Sequence, residues 1–202
     1  YNVGEYIRTA IDSILGQTFK DWELIITDDC STDNTIDIIE GFCKKHHNIR
    51  LIRRTNNSGG ARLPRKEAAH ASTGDFIMTY DADDFLDNDY IEKMYNRLLE
   101  TEANIVLSTL YFCNYKGELN GHFIPKTSFP LKNIMSGKDA TKLLLGEVSI
   151  SVSGLLIERQ KYLDNISSGK CEEDNYSYVD EIDQRRLLFS CEKVAFADTK
   201  YY

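Results

Sequence analysis

Two groups of aspartates stand where short apolar runs end. Asp28-Asp29 follows Leu24-Ile25-Ile26-Thr27, and Asp81-Ala82-Asp83-Asp84 follows Phe76-Ile77-Met78-Thr79-Tyr80. Each run has the length and composition of a buried strand. Carboxylates crowded at a strand end repel one another and raise each other's pKa unless a cation compensates. Oxygen ligands at this density suit Mg²⁺ or Mn²⁺. One isolated Asp would read as a turn former or a helix cap. Two groups at two strand ends point instead to a divalent-cation site, because ligands of open α/β sheets gather at the carboxyl ends of the strands. No nucleophile–histidine set competes with this reading. His46-His47 ends a predicted helix, His70 sits on a helix beside alanines and His122 is in a loop.

The elements that must position these acids follow from periodicity. Apolar residues at three- and four-residue steps predict a helix over residues 2–17, with Asn2 and Glu5 as a capping box at its start. Strands are expected over 22–27, 49–53, 76–80 and 105–113, with helices around 36–43, 65–72 and 90–99 between them. Strand and helix alternating at short spacing predict parallel strands joined by right-handed crossovers. The second half is less regular. Residues 114–135 read as loop or hairpin, 136–145 as a helix capped by Ser136 with Asp139, 149–157 as a strand, 180–189 as a helix and 194–197 as a last strand.

Bulk properties set limits. The 202 residues suit one domain, and 42% hydrophobic content is enough for a core. A net charge of −8 argues against a nucleic-acid partner, which needs clustered Lys and Arg. An acidic chain still binds an anionic nucleotide when a divalent cation screens the phosphates. Cys30, Cys43, Cys113, Cys171 and Cys191 are odd in number, lack metal-site spacing and read as free thiols of a reducing compartment. No run of about 18 apolar residues predicts a transmembrane helix, and no signal-peptide pattern is present. The chain opens at Tyr1 without Met, so further residues are expected upstream.

With the motifs in order, the sequence resembles the inverting family-2 glycosyltransferases of GT-A fold. The matching strings are Tyr1-Asn2-Val3, Ser13-Ile14-Leu15-Gly16-Gln17-Thr18-Phe19, Asp28-Asp29-Cys30-Ser31-Thr32-Asp33, the Gly-rich stretch from Asn57 to Gly74, and Asp81-Ala82-Asp83-Asp84. Cys30 replaces the Gly usual in the family's turn, and Pro64-Arg65-Lys66 stands where Ala-Arg-Asn is usual. The family's first strand is absent from the sequence. The resemblance implies a GT-A nucleotide-binding fold, with a mostly parallel central sheet flanked by helices. Residues 1–113 would form its nucleotide-sugar-binding half, and 114–202 its acceptor-binding and catalytic-base half.

Carried over one residue at a time, the family's roles give a donor site. Tyr1 would border the uracil, and Asp29 would accept a hydrogen bond from it. Asp81 and Asp83 would hold the ribose and a Mn²⁺ or Mg²⁺ ion, with Asp83 the direct ligand and Asp84 orienting them. Arg65, with Arg62 as second choice, would face the nucleotide. The base that deprotonates the acceptor hydroxyl falls at Asp180, by the unbroken spacing back from Asp198 and the following Arg186-Leu187-Leu188; Asp174 is the alternative, in Glu172-Glu173-Asp174. Asp183, one turn on, would pair with Arg185 or Arg186. The implied partners are a nucleotide-sugar donor, favouring UDP, and a glycan or lipid-linked sugar acceptor. The implied location is the cytoplasm, with peripheral association at the inner face of the membrane. A non-catalytic sugar-binding module and a nucleotidyltransferase are the rival readings. A Rossmann dehydrogenase would need GxGxxG after its first strand, which Gly59-Gly60 does not supply.

Overall fold

The computed structural model describes residues 1–113, 118–123, 134–145, 153–168 and 179–202. Helix α1 (Ile7–Leu15) buries Ile7, Ala10, Ile11 and Ile14, the stripe that its periodicity predicts. It starts later than the Asn2–Glu5 pattern suggested. Asn2 lies in the left-handed region at φ 51, and its side chain is engaged elsewhere. Its Oδ1 accepts the Thr32 N–H at 2.8 Å, and its own N–H donates to Ser31 Oγ at 2.9 Å. Asn2 therefore staples the first residues to the aspartate turn instead of capping a helix.

Strand β1 (Leu24–Asp28) pairs in parallel with β2 (Ile49–Arg53), placing Ile26 opposite Leu51. The connecting helix α2 (Thr35–Cys43) buries Ile39 and Phe42 against Ile7, Ile11 and Ile49. Helix α3 (Arg62–Ala71), strand β3 (Phe76–Met78) and helix α4 (Tyr90–Thr101) follow. Gln17, fully buried, fastens the end of α1 to the loop before α4. Its Nε2 donates to Ser13 O at 3.1 Å and Asp87 O at 2.8 Å, while its Oε1 accepts the Ile91 N–H at 3.0 Å.

Strand β4 (Ile105–Cys113) is the hub of a second sheet. It pairs in parallel with β7 (Val194–Tyr201) and antiparallel with β5 (Leu119–Phe123) and β6 (Leu156–Glu158); β6 also runs antiparallel to β3. The α/β class is as expected, but the sheet is mixed instead of mostly parallel. β6 accounts for the difference, because it enters between β3 and β4 and runs against both. A buried apolar run carries no direction of its own, so its sense was not readable. Helices α5 (Gly137–Leu145), α6 (Arg159–Ser168) and α7 (Val179–Phe189) complete the fold. Ser136 caps α5 as predicted, accepting the Asp139 N–H at 3.2 Å and donating to Asp139 Oδ2 at 2.7 Å.

The core lies on both faces of β4. Ile105 and Leu107 pack with Leu187, Leu188 and Val194 on one side, and Val106 packs with Tyr90, Met94 and Tyr201 on the other. Among the described residues, β1 pairs with β2 alone and β3 with β6 alone, so the two sheets face each other across a gap. Among the described residues, no helix is long and apolar enough to cross a membrane.

Candidate active site

The two acid groups meet at one cavity. About 1030 Å³ in volume, it extends through the gap between the sheets, where apolar side chains such as Ile11, Ile14, Leu24 and Ile77 line it, and includes Tyr1, Asp29, Asn57, Arg65, Asp81 and Asp83 in its polar lining. Tyr1 is 57% exposed. Its backbone position is set by the Asn2 staple and by the Val3 N–H, which donates to Thr35 Oγ1 at 2.9 Å. Asp29, by contrast, is 5% exposed and densely bonded. It forms an ion pair with Arg54 and accepts the Ser58 N–H at 2.9 Å and the Ser58 hydroxyl at 2.8 Å. Burial alone would raise its pKa. The Ser58 hydrogen bonds and the Arg54 guanidinium outweigh burial and hold it below the ordinary carboxylate value. Arg54 also reaches Glu67 on α3 at 3.1 Å, tying the β1 turn to that helix.

The second group divides its labour. Asp81 Oδ1 pairs with Arg65 Nη2 at 2.6 Å. Asp83 is exposed and makes no hydrogen bond or ion pair with another described residue. Asp84 turns inward to the Tyr201 hydroxyl, which also accepts the Asp81 N–H at 3.2 Å. Burial pushes the Asp84 pKa up to about 7, opposed by that hydrogen bond and reinforced by the neighbouring Asp81 and Asp83 charges. Tyr201 is raised as well, by burial and by the facing Asp84. One tyrosine thus braces both ends of the acidic loop from below.

Arg62 does not join Arg65 at the acids. Its Nε pairs with Asp183 Oδ2 at 2.9 Å, linking α3 to α7. Asp183 also pairs with Arg186, in line with the expected pairing to Arg185 or Arg186. Arg186 Nη1 stands 3.9 Å from Asp183 Oδ1, and Arg62 is the closer partner. The backbone of Asp180 occupies the first turn of α7, while its side chain lies outside what the structure describes. Asp174 lies outside the described residues altogether.

The match to known proteins runs over most of this architecture. Residues 1–167 match the model of glycosyl transferase family 2. The chain belongs to that family. A relative, the poly(ribitol-phosphate) beta-glucosyltransferase of Bacillus spizizenii, is 36% identical over 135 residues, covering 66% of this chain and 20% of the relative. Among solved structures, residues 1–349 of TarS from S. aureus superpose with a TM-score of 0.79 at 22% identity, covering 100% of this chain and 57% of that one. A complex of the same protein with UDP-GlcNAc matches at a TM-score of 0.78. A mannosyltransferase from Pyrobaculum calidifontis, in complex with GDP-Man and Mn²⁺, matches at 0.64 and 16% identity, over 99% of this chain and 54% of that one. The fold is therefore GT-A. The chain spans a fifth of its B. spizizenii relative and little more than half of the TarS fragment.

Against that family pattern two features stand out. Cys30, in the position of the family-2 glycine, holds φ 68. That backbone costs an L-residue about 1–2 kcal/mol, which is why glycine is usual there. The second feature is Arg54. No motif flagged it, since it follows β2 directly after another basic residue, Arg53, which ends the strand and pairs with Glu40. The only available signal was alternation: neighbours in an extended chain point to opposite sides, and one of the two had to face the buried Asp29.

Among the described residues, no three His, Cys, Asp or Glu side chains are grouped to hold a metal by themselves. The residues present fit a different arrangement. A divalent ion of Mg²⁺ type takes one or two carboxylates from protein and completes its shell with substrate phosphates and water. Asp83, exposed and unengaged beside Asp81, matches that requirement.

Proposed function

We propose that this chain is the donor-binding and catalytic part of a metal-dependent glycosyltransferase. It moves a sugar from a UDP-sugar to an acceptor hydroxyl with inversion, in the synthesis of a cell-surface or secreted polysaccharide. The observation that carries the reading is the convergence of Tyr1, Asp29, Arg65, Asp81 and Asp83 on one cavity, with Asp83 left unengaged. The UDP-GlcNAc complex of TarS and the glucosyltransferase relative support the choice of donor and of a surface glycan as product. Residues 1–113 supply the donor half, and residues from 114 onward the acceptor and base half.

In this reading Tyr1 lies along the base and Asp29, kept ionised by Arg54 and Ser58, accepts its imide N–H. Asp81, held by Arg65, faces the ribose. Mn²⁺ or Mg²⁺, when bound at Asp83 with Asp81 alongside, would supply positive charge against the leaving nucleoside diphosphate. Asp180 removes the acceptor hydroxyl proton as that oxygen attacks the anomeric carbon from the face opposite the diphosphate. Holding donor and acceptor in line supplies much of the remaining rate.

The test is a panel of nucleotide sugars incubated with Mn²⁺, scored by release of nucleoside diphosphate, with calorimetry of UDP binding in the presence and absence of the ion. UDP binding that ignores the metal would sink the reading. Asp180→Asn is expected to abolish transfer and leave UDP affinity intact. If Asp174→Asn does so instead, the role passes to Asp174.

A further inference from the structure

The Arg62–Asp183 pair joins the helix that serves the metal motif to the helix that begins with the proposed base. Arg62 opens α3, and Arg65, one turn later on the same helix, grips Asp81 at 2.6 Å. Asp183 sits in α7, three residues after Asp180. Both side chains of the pair are mostly enclosed, 20% and 15% exposed, so solvent screens them less than an open surface pair. The Asp183 carbonyl is engaged too, accepting a hydrogen bond from Asn165 Nδ2 of α6 at 3.1 Å.

Helix α7 is held both by apolar packing and by polar contacts. Its C-terminal half is seated by Leu187 and Leu188, both buried in the core against Ile105 and Val194. Just after its first turn, the Arg62 ion pair and the Asn165 hydrogen bond both converge on Asp183. A polar clamp of this kind adds little to global stability, yet it fixes where one helix end stands.

We propose that Arg62 and Asp183 are positioning residues for the transfer reaction. Through α3 they set the first turn of α7, and hence residue 180, at a fixed distance from the Asp81–Asp83 loop. This rests on the reading of Asp180 as the base. It adds that the distance between base and donor is controlled by a charge pair reaching from one half of the chain to the other, and not only by the hydrophobic seat of α7. A misplacement of about 1 Å at such a distance is enough to cost on the order of 100-fold in rate.

The experiment compares the intact protein with Asp183→Asn, Arg62→Gln and the swapped pair Arg62→Asp/Asp183→Arg. Turnover is measured with the donor that the panel selects, UDP affinity with Mn²⁺ by calorimetry, and backbone order by hydrogen exchange. Each single variant is expected to lose about 10- to 100-fold in kcat, with donor KM and UDP affinity near the starting values. Amide exchange should quicken in the first turn of α7 and stay unchanged around Leu187, Leu188 and β4. The swapped pair should regain part of the lost kcat and protection. Wild-type kcat and exchange in both single variants would overturn the proposal. So would an equal rise in exchange throughout the chain, which would mark a merely structural pair. If the unaltered protein releases nucleotide from no donor, the function reading fails. The local exchange pattern and its rescue by the swap still decide whether the clamp sets α7.

Discussion

Replacing Gly154 by alanine is expected to unsettle the active site from inside the core. Gly154 precedes β6 at φ 82, and its N–H donates to Thr79 O at 2.7 Å. A methyl group there would strike Tyr201 Cδ2, and would lie 2.8 Å from Tyr90 Oη and 2.9 Å from Tyr201 Cε2. Neither ring has room to yield, since Tyr90 is 0% and Tyr201 1% exposed. The left-handed backbone costs alanine about 1 kcal/mol, and overpacking of a rigid core adds about 1–3 kcal/mol. A loss near 3 kcal/mol in a domain of this size lowers the melting temperature by about 6–12 °C. Tyr201 is also the acceptor for the Asp81 N–H and the partner of Asp84, so displacing it loosens the acidic loop. Thermal unfolding and calorimetry of UDP with Mn²⁺, run on the same samples, read both consequences. A melting temperature within about 2 °C of the starting protein, with unchanged UDP affinity, would refute the argument.

Three further outcomes are expected. Cys30→Gly should stabilise the fold by about 1 kcal/mol, because glycine carries no penalty at φ 68; an unchanged or lower melting temperature counts against it. Asp84, with its pKa raised to about 7, holds its proton in the folded state over a range where the unfolded chain has released it. The metal-free fold should therefore lose stability as pH rises from the ordinary Asp value towards 7, while Mn²⁺ affinity rises over pH 6–8. Asp84→Asn should flatten both profiles, and a persistent slope would point to another group. Arg54→Met should weaken UDP binding and move acid unfolding. Asp29 keeps its lowered pKa through Ser58 and Arg54, so the stability that it contributes is present above the unfolded value and lost as pH falls through the folded one. Removing Arg54 should shift that loss to higher pH in an acid titration followed by circular dichroism.

Much of this was legible before any coordinates. The stripe of Ile7, Ala10, Ile11 and Ile14 marked α1, and the apolar runs before Asp28 and Asp81 marked strands β1 and β3, because burial imposes a period on sequence. Helix α6 was not seen. Its sequence RQKYLDNISS is mostly polar, and among the described side chains only Tyr162 and Leu163 are buried in the core, with Ile166 packed against its edge, too few to show a period. The antiparallel entry of β6 was hidden for a related reason: pairing sense depends on what lies beside a strand. At the site, the residue types that line the cavity were readable, but their partners were not. Arg54 on Asp29, Tyr201 on Asp84 and Arg62 on Asp183 each join positions 25 or more residues apart, and no local pattern records such a meeting.

Gln17 shows how a crowded set of negative charges can be given a steady foundation. The amide gives both its protons to carbonyls and takes one from Ile91, in a place that water does not reach. A glutamate of the same length would set an acceptor against two carbonyl oxygens and lose both of those bonds. Because an amide takes up and releases no proton near neutrality, this joint is indifferent to acidity, to salt and to the arrival of a cation a few residues away. The aspartates can change their ionisation while the floor beneath them stays put.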